Sequence, residues 1–394
     1  MKGCLVSIAV LVLGSVAVAQ DQSKIDQAIH KGVEYLKGAD SPGHPHSKAL
    51  HSDELILYTF VVADVSPTNA RFKSLLERVL TDEPHQTYKV ALQAMALEEL
   101  DRVKYQNRIA FCAQHLVDNE CTNGQWSYGN PTTAPKDVPT GVASEGAAKD
   151  PKPVTGVRDF GGGDKKPKPK VLRKIPIKKQ KDGPADGDNS NTQYASLGLR
   201  ACYDSGIIIP EDSIQLAVKW LIESIHAEDA ADKDKVGKNA VGTGPGETPG
   251  KPQGWAYKGA GEGNAYGSMT AGGTGALTIY DYMLKKDWKK DATVKNGMAW
   301  LGSHFAVTDN PGRGKDWLLY YLYGIERAGV LYGTDKMGDH DWYAEGAKYL
   351  LGSQGADGSW NVSGRENSTW DTCFAVLFLK KATKPLVAST DGKR

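Results

Sequence analysis

The chain has five cysteines in 394 residues, almost no excess of either charge, and no long apolar run beyond Val18. Each shortage excludes something. A net charge of +1 gives no overall field to draw nucleic acid or anionic lipid, so neither is expected as a partner. A membrane span needs roughly 18 uninterrupted apolar residues, and none follows the N-terminal segment. The cysteines are too sparse for a disulfide-stapled scaffold. Cys112 and Cys121 would stand about 13 Å apart on a continuing helix rising about 1.5 Å per residue, well beyond the roughly 7 Å of a bridged pair. Cys112 and Cys202 fall on apolar stripes, where a thiol packs as a small hydrophobe. Hydrophobic residues make up 40% of the chain, which is ample for a large core.

The N-terminus reads as an address. Lys2, the apolar run Leu5 to Val18 and Ala17-Val18-Ala19 before Gln20 form a secretory signal over residues 1–19, which predicts an exported protein, periplasmic or extracellular. Cys4 precedes the apolar run, so it is lost with the signal and cannot serve as a lipid anchor.

What is present is a repeat. Gly346-Ala347-Lys348-Tyr349-Leu350, then Gln354, then Gly358-Ser359-Trp360, is echoed by Gly32-Val33-Glu34-Tyr35-Leu36 and Gly297-Met298-Ala299-Trp300-Leu301, and by His115-Leu116, Glu120 and Gly124-Gln125-Trp126. Self-similarity at this scale dictates architecture. Aligning the copies makes Leu36, Val79, Leu116, Leu221, Leu301 and Leu350 equivalent. Each closes a one-sided apolar stripe: Phe72, Leu75, Leu76, Val79 and Leu80, for example, step by three and one along a single helical face. After each stripe comes a segment apolar nearly all round: Leu50 to Ala63, Thr87 to Leu100, Thr192 to Tyr203, Met269 to Leu284, Trp317 to Val330 and Thr369 to Ala382. One-sided helices form an outer wall and enclosed ones an inner wall, which predicts an all-α α/α toroid of six helical hairpins across residues 20–394. Two stretches interrupt the period. A basic Pro/Gly/Lys insertion at about 130–190, containing Lys165-Lys166-Pro167-Lys168-Pro169-Lys170, is expected to be disordered, with an anionic partner as the functional alternative; a second loop spans about 230–253.

Gln354, Gly358 and Trp360, with Trp126 and Trp255 as partial matches, resemble the glutamine-tryptophan repeat of squalene-hopene cyclases. The whole mature chain resembles the toroids of the terpenoid cyclase and protein prenyltransferase superfamily, which carries prenyltransferase and squalene oxidase repeats. That resemblance implies a structural role for these residues, with the Gln capping a helix and the Trp stapling hairpins. It also implies that chemistry sits inside the ring, at the starts of the inner helices. Squalene-type cyclases protonate an alkene from an Asp-x-Asp-Asp-Thr-Ala stretch, where clustered carboxyls keep one protonated. In Ser368-Thr369-Trp370-Asp371-Thr372-Cys373 only Asp371 matches, as the final Asp, and Trp370 stands where the proton donor would be. Prenyltransferases hold zinc through Asp-x-Cys and a later His. Asp371 and Cys373 supply the first half, but the last histidine, His340, comes before them. No metal and no cofactor are therefore expected.

Other candidates come from position. His51 with Asp53 and Glu54 is the one place where an imidazole and carboxylates begin an inner helix, a pairing that could serve as base and orienter. His44 and His46 precede them in a loop. Trp317, Tyr320, Tyr321, Trp370 and Tyr194 are expected to line a central cavity. Gly272-Gly273-Thr274-Gly275 lacks the preceding strand and following Lys of a phosphate loop and reads as close helix packing. The sequence thus predicts a squalene cyclase-like toroid without the cyclase acid, holding an apolar or oligomeric ligand. The alternative is an enzyme, either a divergent terpene cyclase or an exported polysaccharide lyase or hydrolase.

Overall fold

The computed structural model describes residues 7–40, 53–139, 170–227, 250–261, 263–362 and 367–386. Twelve helices dominate the described residues. The outer set is α1 (Ser7–Gly38), α3 (Ala70–Thr81), α5 (Gln106–Asp118), α7 (Glu211–Glu223), α9 (Ala292–Ser303) and α11 (Trp342–Ser353). The inner set is α2 (Asp53–Val62), α4 (Thr87–Asp101), α6 (Asn189–Asp204), α8 (Gly267–Met283), α10 (Leu318–Tyr332) and α12 (Ser368–Leu379). Along the inner ring α2 packs on α4, α4 on α6, and so on to α12, which returns to α2 and closes the circle; α1 seats against α12 and α11. No described helix is long and apolar enough to cross a membrane.

Burial follows the sequence pattern. Every residue of α2 is buried, and α6 is buried from Asn189 through Cys202 without a break. In α3, by contrast, only Phe72, Leu75 and Val79 are buried. The six aligned positions, Leu36, Val79, Leu116, Leu221, Leu301 and Leu350, all lie in the core. Cys112, Cys121, Cys202 and Cys373 are free thiols in buried places.

Three tryptophans staple the hairpins in the same way. The indole N–H of Trp126, Trp255 and Trp360 donates to the carbonyl of Leu116, Leu221 and Leu350 at 2.7, 2.9 and 2.9 Å. The backbone N–H of each then donates to a threonine hydroxyl on the following inner helix, Thr192, Thr270 or Thr372. This gives an orphan carbonyl near the end of each outer helix a partner. Gln354 adds bonds from Nε2 to the carbonyls of Ala28 and Gly358, both 2.9 Å, so α11 is tied to α1 across the ring closure. Gly358 has a φ of +89°, and a Cβ there would stand 2.5 Å from the Lys31 carbonyl, so the turn requires glycine. The glycine run in α8 serves packing: a Cβ on Gly273 would meet the Trp255 ring at 2.6 Å.

Of the basic insertion, residues 140–169, and with them the Lys-Pro run through Pro169, lie outside the described residues; 170–188 forms a largely exposed strap that is pinned at a few points. Ile175–Pro176 (β1) pairs in parallel with Ile207–Ile208 (β2), with Ile175 and Ile177 buried. This strap crosses the outer face of α5. Gln106 Nε2 donates to Arg173 O, Gln114 Nε2 to Lys178 O, and the Gln180 amide to Asp118 Oδ1. The polar outer face of α5 is therefore buried, unlike that of α3. Farther on, Lys336–Met337 (β3) and His340–Asp341 (β4) form a short antiparallel hairpin before α11.

All inner helices start at one mouth of the ring and end at the other. The C-terminal segment crosses the far mouth. Lys384 pairs with Glu98 at 3.4 Å and also contacts Glu99, both on α4, while Arg200 of α6 donates to the carbonyls of Lys384 and Pro385 at 2.8 and 3.1 Å. Thr383 donates from N and Oγ1 to the Glu326 carboxyl of α10 at 2.9 and 2.6 Å.

An aromatic mouth as candidate functional site

At the near mouth the first turns of the inner helices bring aromatic rings together. Trp317, the N-cap of α10, stacks on Trp370 of α12 with centroids 5.8 Å apart and meets Tyr320 edge-on at 6.2 Å. Tyr320 stacks on Tyr194 at 6.1 Å and lies edge-on to Phe374 at 5.6 Å; Tyr194 meets Tyr88 at 4.6 Å, and Tyr128 lies beyond. Trp317 and Trp370 are half-buried and Tyr128 is exposed, and they stand at the rim above a buried floor. Trp317 adopts φ 60° and ψ 33°, left-handed backbone that costs a bulky side chain about 1–3 kcal/mol. The surrounding packing holds this strain where the ring faces its neighbours.

Under the rings runs a polar chain. The hydroxyls of Tyr88 and Ser190 share a hydrogen bond, Ser190 Oγ lies 2.8 Å from the Tyr320 hydroxyl, and Gln193 Nε2 donates to that hydroxyl at 2.6 Å. Arg327 Nη2 donates to Gln193 Oε1 at 2.9 Å. The Arg327 guanidinium lies over the Tyr323 ring at 4.2 Å, with Tyr194 and Tyr320 at 5.6 and 6.0 Å. Burial pushes the phenols of Tyr88, Tyr194, Tyr320 and Tyr323 above the ordinary tyrosine value, so all are neutral donors and acceptors. Aromatic faces with hydroxyl and amide groups beneath can stack on a ligand and hydrogen-bond its edge.

The structure assembles Trp317, Tyr320, Trp370 and Tyr194 of the expected cavity residues. Tyr321 is elsewhere, one residue on and about 100° around α10. Its ring packs against Gly267 at the start of α8, with the Ala306 backbone beside its hydroxyl. The candidates for acid-base work are spread among structural tasks. Asp371 Oδ2 accepts from the Val362 amide at 2.9 Å and holds the turn after Trp360. Cys373, two residues along the same helix, points to another side, with the Thr59 hydroxyl beside it and burial pushing its thiol up to about 12. Asp371 and Cys373 therefore do not converge on a common ion, and among the described residues no group of three His, Cys, Asp or Glu could hold a metal. Asp53 accepts from Arg78 Nε at 2.7 Å, tying α2 to α3. Glu54 faces Lys89 of α4 at 3.5 Å, and burial pushes it up to about 7 despite the ammonium. His51, and likewise His44 and His46, lie outside the described residues.

Sequence reasoning passed over Arg327, Ser190, Phe374 and Tyr323. Arg327 had a signal, since Glu326-Arg327 is a charged pair inside the otherwise apolar Leu318–Tyr332.

No protein-family model matches the sequence, and no curated protein matches it either. Among solved structures, the fold is similar to that of a type II terpene cyclase from Scytonema in complex with geranylgeranyl dihydroxybenzoate. That match has a TM-score of 0.50 and 9% identity, and covers 92% of this chain and 99% of the other. The likeness is one of fold, a terpenoid cyclase-like all-α toroid.

Proposed function

We propose that this is an exported binding protein whose toroid mouth holds an apolar or oligomeric ligand, with Trp317 and Trp370 stacking on it and Tyr320 and Tyr194 forming the floor. The carrying observation is the strained backbone at Trp317, which presents a half-buried indole next to Trp370. Strain of this kind persists where a site is pre-organised. Asp371, the remnant of the cyclase acid stretch, holds a turn, and Trp370 occupies the donor position, which supports binding without alkene protonation. The Trp staples are read as the glutamine-tryptophan repeat of the cyclases, and the N-terminal segment as an export signal. An anionic partner for the basic stretch before residue 170 is kept as an alternative.

Titrating the protein with polyprenols and with neutral and acidic oligosaccharides while recording tryptophan emission tests the reading. Ligand-dependent quenching is expected, and it should shrink at least severalfold in Trp317→Phe. A cyclised product after incubation with squalene or polyprenyl substrates would overturn it. One observation favours a second reading, an exported polysaccharide lyase or hydrolase: the hydroxyl chain from Tyr88 to Tyr320 ends on a guanidinium. Against it, burial raises the Tyr320 phenol, which makes a tyrosinate base harder to form. New reducing ends or unsaturated products from acidic polysaccharides would establish that alternative.

A further inference from the structure

Arg327 is a fully charged group in the middle of the ring without a charged partner. Its residue is 3% exposed. Nη2 is committed to Gln193, yet Nη1 is buried with no hydrogen-bond partner. Among the described residues no carboxylate lies within ion-pairing distance of it. Glu326 is adjacent in sequence, but both its oxygens are turned to Thr383 at the far mouth, and burial pushes that carboxyl up to about 7, so it offers only part of a charge. The tyrosines around the guanidinium contribute ring faces and neutral hydroxyls. Cation-π contact and the nearby Tyr194 hydroxyl offset part of the desolvation, yet Nη1 is left without a well-formed partner. A buried guanidinium in this condition is costly, and an orphaned buried donor calls for a missing acceptor.

We propose that Arg327 is the anchor for an oxyanion carried by the ligand, so that the mouth selects extended molecules ending in a carboxylate, sulfate or phosphate. This rests on the reading of the mouth as a ligand site and narrows its substrate class. The aromatic rim takes the body of the ligand by stacking, and its acidic end passes the Tyr194 and Tyr320 floor to meet Nη1. Gln193 fixes the guanidinium from the other side, which sets the direction of the free N–H groups before the ligand arrives. Two sources share this chemistry, acidic oligosaccharides and isoprenoid acids.

The test uses the full-length protein and two matched pairs, tetragalacturonate against its methyl ester and farnesoate against farnesol, with tryptophan emission as the readout. The acid of at least one pair should bind about tenfold or more tighter than its neutral partner, as expected when a charge-assisted hydrogen bond replaces an orphaned donor. The pair that shows the preference identifies the source. In Arg327→Met the preference should vanish while the neutral partner keeps its affinity within about twofold. Arg327→Lys, which retains the charge, should keep a reduced preference. If Arg327→Met does not fold by circular dichroism, the wild-type selectivity and the lysine variant decide. Equal binding of acid and neutral partner, or a preference that survives in Arg327→Met, would overturn the assignment while leaving the mouth as a ligand site. Silence from all four probes would remove both.

Discussion

Glu120 stands four residues past Leu116, where Gln354 stands four residues past Leu350. Gln354 works there as a donor to two carbonyls, and an ionised carboxylate cannot donate. Glu120 is wholly buried with neither oxygen in a well-formed hydrogen bond, and burial pushes it up to about 7, against the lowering influence of the Ser213 hydroxyl and of Lys179 at 3.5 Å. A proton on this carboxyl restores the donor that the staple uses elsewhere. Because the folded value lies above the ordinary 4.5, the folded state holds the proton more tightly. Its stabilising contribution is complete below the unfolded value and is lost as pH rises through about 7. Glu54 and Glu326, each also pushed up to about 7 by burial, act in the same direction. The protein should therefore unfold more readily in urea at pH 8 than at pH 5. Glu120→Gln should be about 1–3 kcal/mol more stable than wild type at pH 8 and near wild type at pH 5. Lys179 keeps Asp182 at 3.4 Å, so the variant strands no ammonium. Equal stability of the two proteins at both pH values would show that position 120 does not do the work of a glutamine.

Hairpin identity was legible at the level of elements because period and burial coincide. Leu36 through Leu350 could be aligned from the repeated motif and its apolar stripe, and all six are buried as aligned. The staple geometry was less legible. Trp360 follows Leu350 by ten residues, but Trp255 follows Leu221 by thirty-four, and only the fold brings the indole back to the equivalent carbonyl. The second hairpin has no tryptophan there: Val79 O accepts instead from Gln93 Nε2 at 2.5 Å and Arg108 Nη2 at 3.0 Å, a solution made of polar residues that carry no repeat signal. The strap over α5 was illegible for a related reason. Its hydrogen bonds to α5 run mostly through its backbone carbonyls and amides, so the residues that make them carry no side-chain pattern in the sequence. If the staple fixes the hairpins, Trp360→Phe should cost about 0.5–1.5 kcal/mol in chemical denaturation, because it leaves the Leu350 carbonyl with only the longer 3.3 Å bond from the Ser353 hydroxyl. The companion Gly32→Ala tests the packing half of the same joint: its Cβ would stand 2.9 Å from both Trp360 Cζ3 and Val376 Cγ2, and overpacking of this kind costs about 1–3 kcal/mol. A neutral result for both would mean that α1 seats on α11 and α12 by some other contact.

For the whole molecule, closing the ring places all six inner-helix starts at one mouth, which is why Trp317, Tyr320, Trp370 and Tyr194 could be named from their positions. Arg327 escaped because it lies well inside α10, and its partner Gln193 comes from a different hairpin; distant pairing of this kind has no local signature. The far mouth was equally hidden. Its closure depends on residues after α12 that look like an ordinary tail, yet they bind α4, α6 and α10 at once. Lys384 is the pivot of that contact. Its side chain is mostly buried, desolvation lowers its pKa despite Glu98, and its ammonium also contacts Glu99. Removing the charge while keeping an aliphatic stem leaves two neighbouring acids of α4 with less compensation; Arg102 remains near Glu98 at 3.9 Å. Lys384→Met should therefore lose about 1–3 kcal/mol in urea denaturation. Because the tail is held at three helices, the same variant should expose the segment after Leu379 to limited proteolysis before the ring unfolds. If Lys384→Met matches wild type in both urea and protease, the segment is an ornament on a ring that is already closed, and the far mouth owes its seal to the inner helices alone.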